Sequence, residues 1–293
     1  MNAAAGSVGE AAVTLDNVSV TYHRHPAVHH VSGTFDTGSL TAIVGPNGAG
    51  KSSLLAAIAS HVPLATGGVR FASRFKGKLA YLPQQSEIER AFPVKVIDVV
   101  MLGAWQGLGV FRSAGNAVRA RAMSALDSVG LNGFESRLIG DLSVGQFQRV
   151  LFARLLLQDA QVILLDEPFN AIDARTTADL LRLARRWHDE GRTVIAVLHD
   201  MHQVQENFPR CLLLAREAVA WGATADVLTV ENMHRARQMS ERWDEHAPIC
   251  EPMPAAAGLH QHSHEAHSHE THAHAREHTP DHRHAGHDAD HRA

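Results

Sequence analysis

The sequence predicts an α/β protein: a parallel-sheet core, a strand-rich start, a helical insert and a polar tail. Three observations predict it. From Val150 onward, segments of helical spacing alternate with short runs of Val, Ile and Leu, which is the pattern of a parallel sheet. One such run, Leu40 to Val44, passes through a glycine-rich loop into Lys51 to His61, a stretch of helix formers. Beyond Pro252 the chain is mostly Ala, His, Ser, Thr and acids, too polar to bury a core.

In chain order, Val13 to Tyr22, His30 to Phe35 and Leu40 to Val44 carry the Val, Thr and Ile of strands and are separated by Gly, Pro or Asp. Val69 to Leu82 reads as a further strand. Val94 to Leu138 has helical spacing, interrupted by a glycine-rich turn near Gly107 and Gly109. Helix (Val150 to Leu157), strand (Val162 to Leu165), helix (Thr176 to Glu190) and strand (Thr193 to Leu198) follow. The expected organisation is a disordered start over residues 1–10, one folded domain over 11–247 with its helical part at about 90–150, and a disordered His-rich tail over 248–293.

Composition limits the function. Apolar residues make up 45% of the 293, and no run approaches the roughly 18 needed to span a bilayer. The first ten residues lack the basic start and apolar stretch of a secretory signal. Cys211 and Cys250 form no disulfide framework, so a reducing, cytosolic setting is expected, with Cys211 buried. Three arginines and six acids lie between Ala255 and Ala293, and the rest of the chain is nearly neutral. That argues against nucleic acid as a principal partner.

The chemistry centres on the loop Gly45, Pro46, Asn47, Gly48, Ala49, Gly50, Lys51 and Ser52, with Ser53 following, set between a strand and a helix. Glycines let backbone N–H groups wrap a phosphate, and the helix start adds partial positive charge. Lys51 suits β/γ-phosphate charge and the Ser52 hydroxyl suits Mg²⁺, which makes this the phosphate-binding loop of a P-loop NTPase. A second site is the apolar strand that ends in Asp166 and Glu167. Asp166 is suited to hold Mg²⁺, directly or through water, and Glu167 to polarise the attacking water. Gln84, after a strand beside the phosphates, is suited to contact both Mg²⁺ and that water. His199 reads either as a γ-phosphate partner at the carboxyl edge of the sheet or as a core histidine.

Leu142, Ser143, Val144, Gly145 and Gln146, between the two sites and before a helix, resemble the signature motif of ABC ATPases. Residues 81–84 resemble that family's Q-loop, residues 170–173 its D-loop, His199 its switch histidine, and Tyr22 the aromatic that stacks on adenine. The resemblance covers about residues 13–236, with every motif in the family's order. It implies a RecA-like parallel-sheet core, an N-terminal antiparallel β subdomain and an α-helical insert. It also implies ATP and Mg²⁺ as ligands, and a dimer of two copies in which Ser143, Gly145 and Gln146 reach the nucleotide held by the partner's loop. A separate membrane permease would dock on the helical insert near Phe92 to Gly103, and the protein would sit on the cytoplasmic face of the cell (inner) membrane. Val144 stands where the family has glycine. Its β-branched side chain requires extended or helical backbone there.

That stretch of the insert resembles zinc and manganese uptake subunits, which pair with an extracytoplasmic metal-binding protein. Twelve of the 22 histidines fall between His260 and His291. Neutral imidazole suits Zn²⁺, so His260, His262, His264, His267, His269, His272 and His274 are candidate zinc ligands, a solvated linker being the other reading. The expected function is therefore ATP-driven import of a divalent metal, zinc before manganese. A metal-chelate transporter, a permease-independent ABC ATPase and a metal-storage protein are the alternatives.

Overall fold

The computed structural model describes residues 10–22, 25–84, 92–107 and 115–241. β1 (Ala11–Tyr22), β2 (His25–Asp36) and β4 (Thr66–Phe71) form an antiparallel sheet in the order β2-β1-β4. The main sheet has six strands in the order β5 (Leu79–Leu82), β6 (Val162–Asp166), β7 (Thr193–Val197), β3 (Leu40–Val44), β8 (Arg210–Ala215) and β9 (Glu217–Ala223). All neighbours are parallel except β8 and β9.

β3, β6 and β7 are buried along their whole length, and apolar at all positions but Thr41, Asp166 and Thr193, because both faces of the sheet are covered. Successive side chains point to opposite faces, so each strand feeds two cores. Ala42, Val44, Ile163, Leu165, Val194 and Ala196 enter a core with Phe147, Phe152 and Trp187. Ile43, Val162, Leu164, Ile195 and Val197 enter another, with Val13, Phe35, Leu54 and Ile58. The first core is closed by α2 (Val96–Met101), α3 (Asn116–Ser128), α4 (Val144–Gln158) and α5 (Ala174–Asp189). Phe152 of α4 stacks on Trp187 of α5 with ring centroids 5.6 Å apart. The second holds α1 (Lys51–Ile58) between the two sheets.

Several boundaries differ from expectation. The run from Val69 to Leu82 is two strands, β4 and β5, in different sheets. A short 3₁₀ turn, Ser73–Phe75, breaks it, and alternating apolar residues satisfy either sheet equally. α4 begins at Val144 instead of Val150, because Ser143 accepts a hydrogen bond from Gln146 N and the Gln146 side chain accepts one from Ser143 N. α5 begins at Ala174, capped by Asp173, and β2 begins at His25. The helical stretch from Val94 to Leu138 resolves into α2, a 3₁₀ turn (Leu102–Gly107) that takes in Gly107, and α3; Gly109 lies outside the described residues. β8, β9, α6 (Met201–Asn207), α7 (Thr224–Val227) and α8 (Val230–Glu241) complete the described chain. Cys211 is fully buried, and burial pushes its thiol pKa up to about 12. Among the described residues no helix is long and apolar enough to cross a membrane. Residues 1–9 and the histidine-rich stretch, with all seven candidate zinc ligands, lie outside the described residues.

Candidate functional site

β3 delivers the chain to the glycine loop, which runs into α1. Gly50, at φ 87°, is the N-cap of α1; no side chain caps the helix and its first turn holds no acid. An uncapped start leaves backbone donors for an anion. Lys51 is 6% exposed, and its Nζ donates to Gly45 O and Pro46 O, both at 3.0 Å, so the lysine spans its own loop. Burial pushes the Lys51 pKa below the usual lysine value, while the charges of Glu167 and Asp166 pull it back up.

The neighbouring strand tip supplies the carboxylates. Ser52 Oγ donates to Asp166 Oδ1 at 2.9 Å, and Asp166 is 2% exposed at the end of β6. Glu167 follows at φ 47°, a left-handed conformation that a glutamate adopts at a cost. Its N–H donates to Val197 O of β7 at 3.2 Å. The Glu167 carboxylate is then held from three sides. Gln84 Nε2 and Asn170 Nδ2 donate to Oε2 at 3.0 and 3.2 Å, and His199 Nε2 shares a hydrogen bond with Oε1. A cavity of about 210 Å³ is lined by residues 47–53, Glu167 and His199.

Of the candidate residues, the structure thus brings together the loop from Gly45 to Ser53 with Asp166, Glu167, Gln84 and His199. His199 is exposed and lines the cavity, so it is not a core histidine. Ser143, Gly145 and Gln146 do not line this cavity. They open α4, where Gly145 faces Asp173 and Thr176 at the start of α5. Val144 is the first helical residue, as its side chain requires. Tyr22 is 45% exposed at the end of β1, paired with His25.

Two contributing residues, Gln148 and Arg149, were not singled out from sequence, and a third, Asn170, was read only as the start of the D-loop. Asn170 bonds Glu167 directly. Gln148, buried in α4, donates from Nε2 to Pro168 O at 2.7 Å and so ties the signature helix to the turn after Glu167. Arg149 of α4 donates to Asp179 of α5 at 2.5 Å and to Val129 O at 2.9 Å. Asp179 is held below the usual carboxylate range, first by that hydrogen bond and then by the charges of Arg149, Arg182 and Arg175. A single polar residue on a helix carries no local pattern that announces a distant partner.

Ser52 Oγ and Asp166 Oδ1 are hard oxygens a hydrogen bond apart, beside a loop built for phosphate. That donor type and small ligand number fit Mg²⁺, which keeps most of its water and shares phosphate oxygens. Among the described residues no group of three or more His, Cys, Asp or Glu is arranged to hold a metal ion.

The family model for ABC transporters matches residues 28–170. The manganese transport system ATP-binding protein MntB of Listeria monocytogenes is 38% identical over 226 residues, 76% of this chain and 94% of that protein. The zinc transport system ATP-binding protein TroB of Treponema pallidum is 40% identical over 229 residues, 77% of this chain and 86% of that one. Among solved structures, the dimeric bacterial ABC transporter cassette MJ0796 superposes with a TM-score of 0.64 at 26% identity, covering 72% of this chain and 98% of that one.

Proposed function

This chain belongs to the family of ABC transporter ATP-binding proteins and is an ATPase, and we propose that it powers uptake of a divalent transition metal, zinc, through a separate membrane permease. One observation carries the chemistry: Glu167 is held by Gln84, Asn170 and His199 at the mouth of the cavity that Lys51 and Ser52 line. In this reading Tyr22 stacks on the base, the loop from Gly45 to Ser53 wraps the phosphates, and Lys51 balances their charge. Glu167 takes the proton of the attacking water. Gln84 and His199 aim its carboxylate, and His199 also presents its ring to the γ-phosphate. Mg²⁺, held by Ser52, Asp166 and Gln84, would supply charge neutralisation on the β- and γ-oxygens.

Two copies pair around ATP, so that Ser143, Gly145 and Gln146 of one subunit face the γ-phosphate bound by the other. Closure on ATP and opening after hydrolysis form the stroke. The stroke passes to the permease through the insert, where Phe92, Leu102 and Trp105 are 67%, 54% and 74% exposed. The ATPase domain is residues 11–247, working at the cytoplasmic face of the inner membrane, and an extracytoplasmic metal-binding protein delivers the cargo.

Zinc is favoured over manganese by the twelve tail histidines, since imidazole suits zinc whereas carboxylate sites suit manganese. Relatives named for both metals support the wider class. The tail, residues 248–293, buffers zinc on the cytosolic side. Metal accumulation in cells lacking this chain tests the proposal. Zinc content should fall and be restored by the wild-type chain but not by Glu167→Gln. A loss of manganese alone would remove zinc as cargo. Calorimetry of the intact protein at neutral pH should show zinc binding that weakens when residues 258–293 are deleted, and no heat on the intact protein would exclude the buffering role.

A further inference from the structure

A nucleotide bound as proposed spans two parts of the fold: the base-side ledge of β1 and β2, and the phosphate loop after β3. One residue bonds to both. Arg216 is the single-residue turn between β8 and β9. Its backbone N–H donates to Ala49 O in the phosphate loop at 2.9 Å. Its carbonyl accepts His29 N–H of β2 at 2.8 Å, and its Nη1 donates to Pro26 O of β2 at 2.8 Å. The next residue adds a further bond to β2, with His29 Nδ1 bonded to Glu217 Oε1 at 2.9 Å. The gap being bridged is narrow. A Cβ built on Gly50 would lie 2.0 Å from Ala27 O, so loop and ledge are already in backbone contact there. Tyr22, at the end of β1, pairs with His25 immediately before this clamp.

The backbone of Arg216 is left-handed, at φ 65°. A bulky side chain is strained in that conformation, and glycine would relieve it. Glycine would keep the two backbone bonds and lose only the guanidinium. Among what arginine adds at this turn is the bond to Pro26. From this we infer that Arg216 is a positioning residue for ATP: it fixes the spacing between the ledge that carries Tyr22 and the loop that holds the phosphates. It does not line the cavity that Lys51, Glu167 and His199 line, so its effect falls on nucleotide binding and not on the chemical step.

The inference rests on the ATP-binding reading of the loop, and the experiment separates the two. Steady-state hydrolysis of MgATP is measured for the full chain and for Arg216→Gly, Arg216→Lys and Lys51→Ala, with melting temperature alongside. Arg216→Gly should raise KM for ATP about three- to tenfold, the worth of one hydrogen bond, with kcat within about twofold. Arg216→Lys, which can still donate to Pro26 O, should restore KM. An unchanged KM in Arg216→Gly, with or without a lower melting temperature, overturns the inference, as does a loss confined to kcat. Should Lys51→Ala hydrolyse ATP like the wild type, the ATP-site reading itself fails, whatever Arg216 does.

Discussion

Gly48 and Gly50 lie in the same loop and both have left-handed backbone, φ 75° and 87°, yet their surroundings differ. A Cβ on Gly48 would meet nothing within 4 Å, whereas one on Gly50 would lie 2.0 Å from Ala27 O and 2.9 Å from Ala27 C. Gly48→Ala thus incurs only the left-handed penalty, about 1 kcal/mol. Gly50→Ala incurs the same penalty and must also displace backbone of β2 by about 1 Å or more, adding about 2–3 kcal/mol of overpacking. For a domain of this size, about 2–4 °C of melting temperature corresponds to each kcal/mol. Gly48→Ala should therefore melt about 3 °C below the wild type and Gly50→Ala about 10 °C below. Because Gly50 is the N-cap of the helix that carries Lys51 and Ser52, Gly50→Ala should also lose most ATP affinity. The assay is thermal unfolding without nucleotide, then with saturating MgATP. If the two variants melt within about 2 °C of each other, the close packing of the loop on β2 is not what constrains it.

Asp179→Asn removes the charged bond from Arg149 that joins α4 to α5, and should lower the melting temperature by about 2 °C at pH 7. The folded state lowers the Asp179 pKa, so its contribution is complete above the unfolded value of about 4 and is lost as pH falls through the lower folded value. The gap to the wild type should close in acid, and a gap that widens below pH 4 would contradict the assignment. Val144→Gly leaves the Ser143 and Gln146 cap in place, so hydrolysis should hold at the wild-type rate or rise, as read by phosphate release. A folded Val144→Gly variant without activity would show that the side chain itself is needed.

The central site was legible because each part is contiguous in sequence. A strand, a glycine loop and Lys51-Ser52 announce one half, and an apolar strand ending in Asp166 and Glu167 announces the other. That Ser52 reaches Asp166 across 114 positions follows once both strands join one parallel sheet. The early start of α4 was missed, although Ser143 followed three residues later by Gln146 is a capping box. Val144 and Gly145, poor helix formers, masked it. The split of Val69 to Leu82 between two sheets was not legible, because period-2 alternation does not say which sheet a strand joins. Arg216 and Gln148 were invisible for another reason. Their partners, Pro26 O and Pro168 O, are backbone carbonyls, and any residue supplies one of those.

All of the functional reading depends on a nucleotide enclosed by two copies of this chain, each completing the other's cavity. Light scattering of Glu167→Gln with MgATP measures this directly, because the amide keeps the site's shape but cannot accept the water's proton. The mass should double when ATP is added and return to that of one chain when ATP is withheld. A Glu167→Gln protein that remains a monomer, with the triphosphate unbound, would contradict the account.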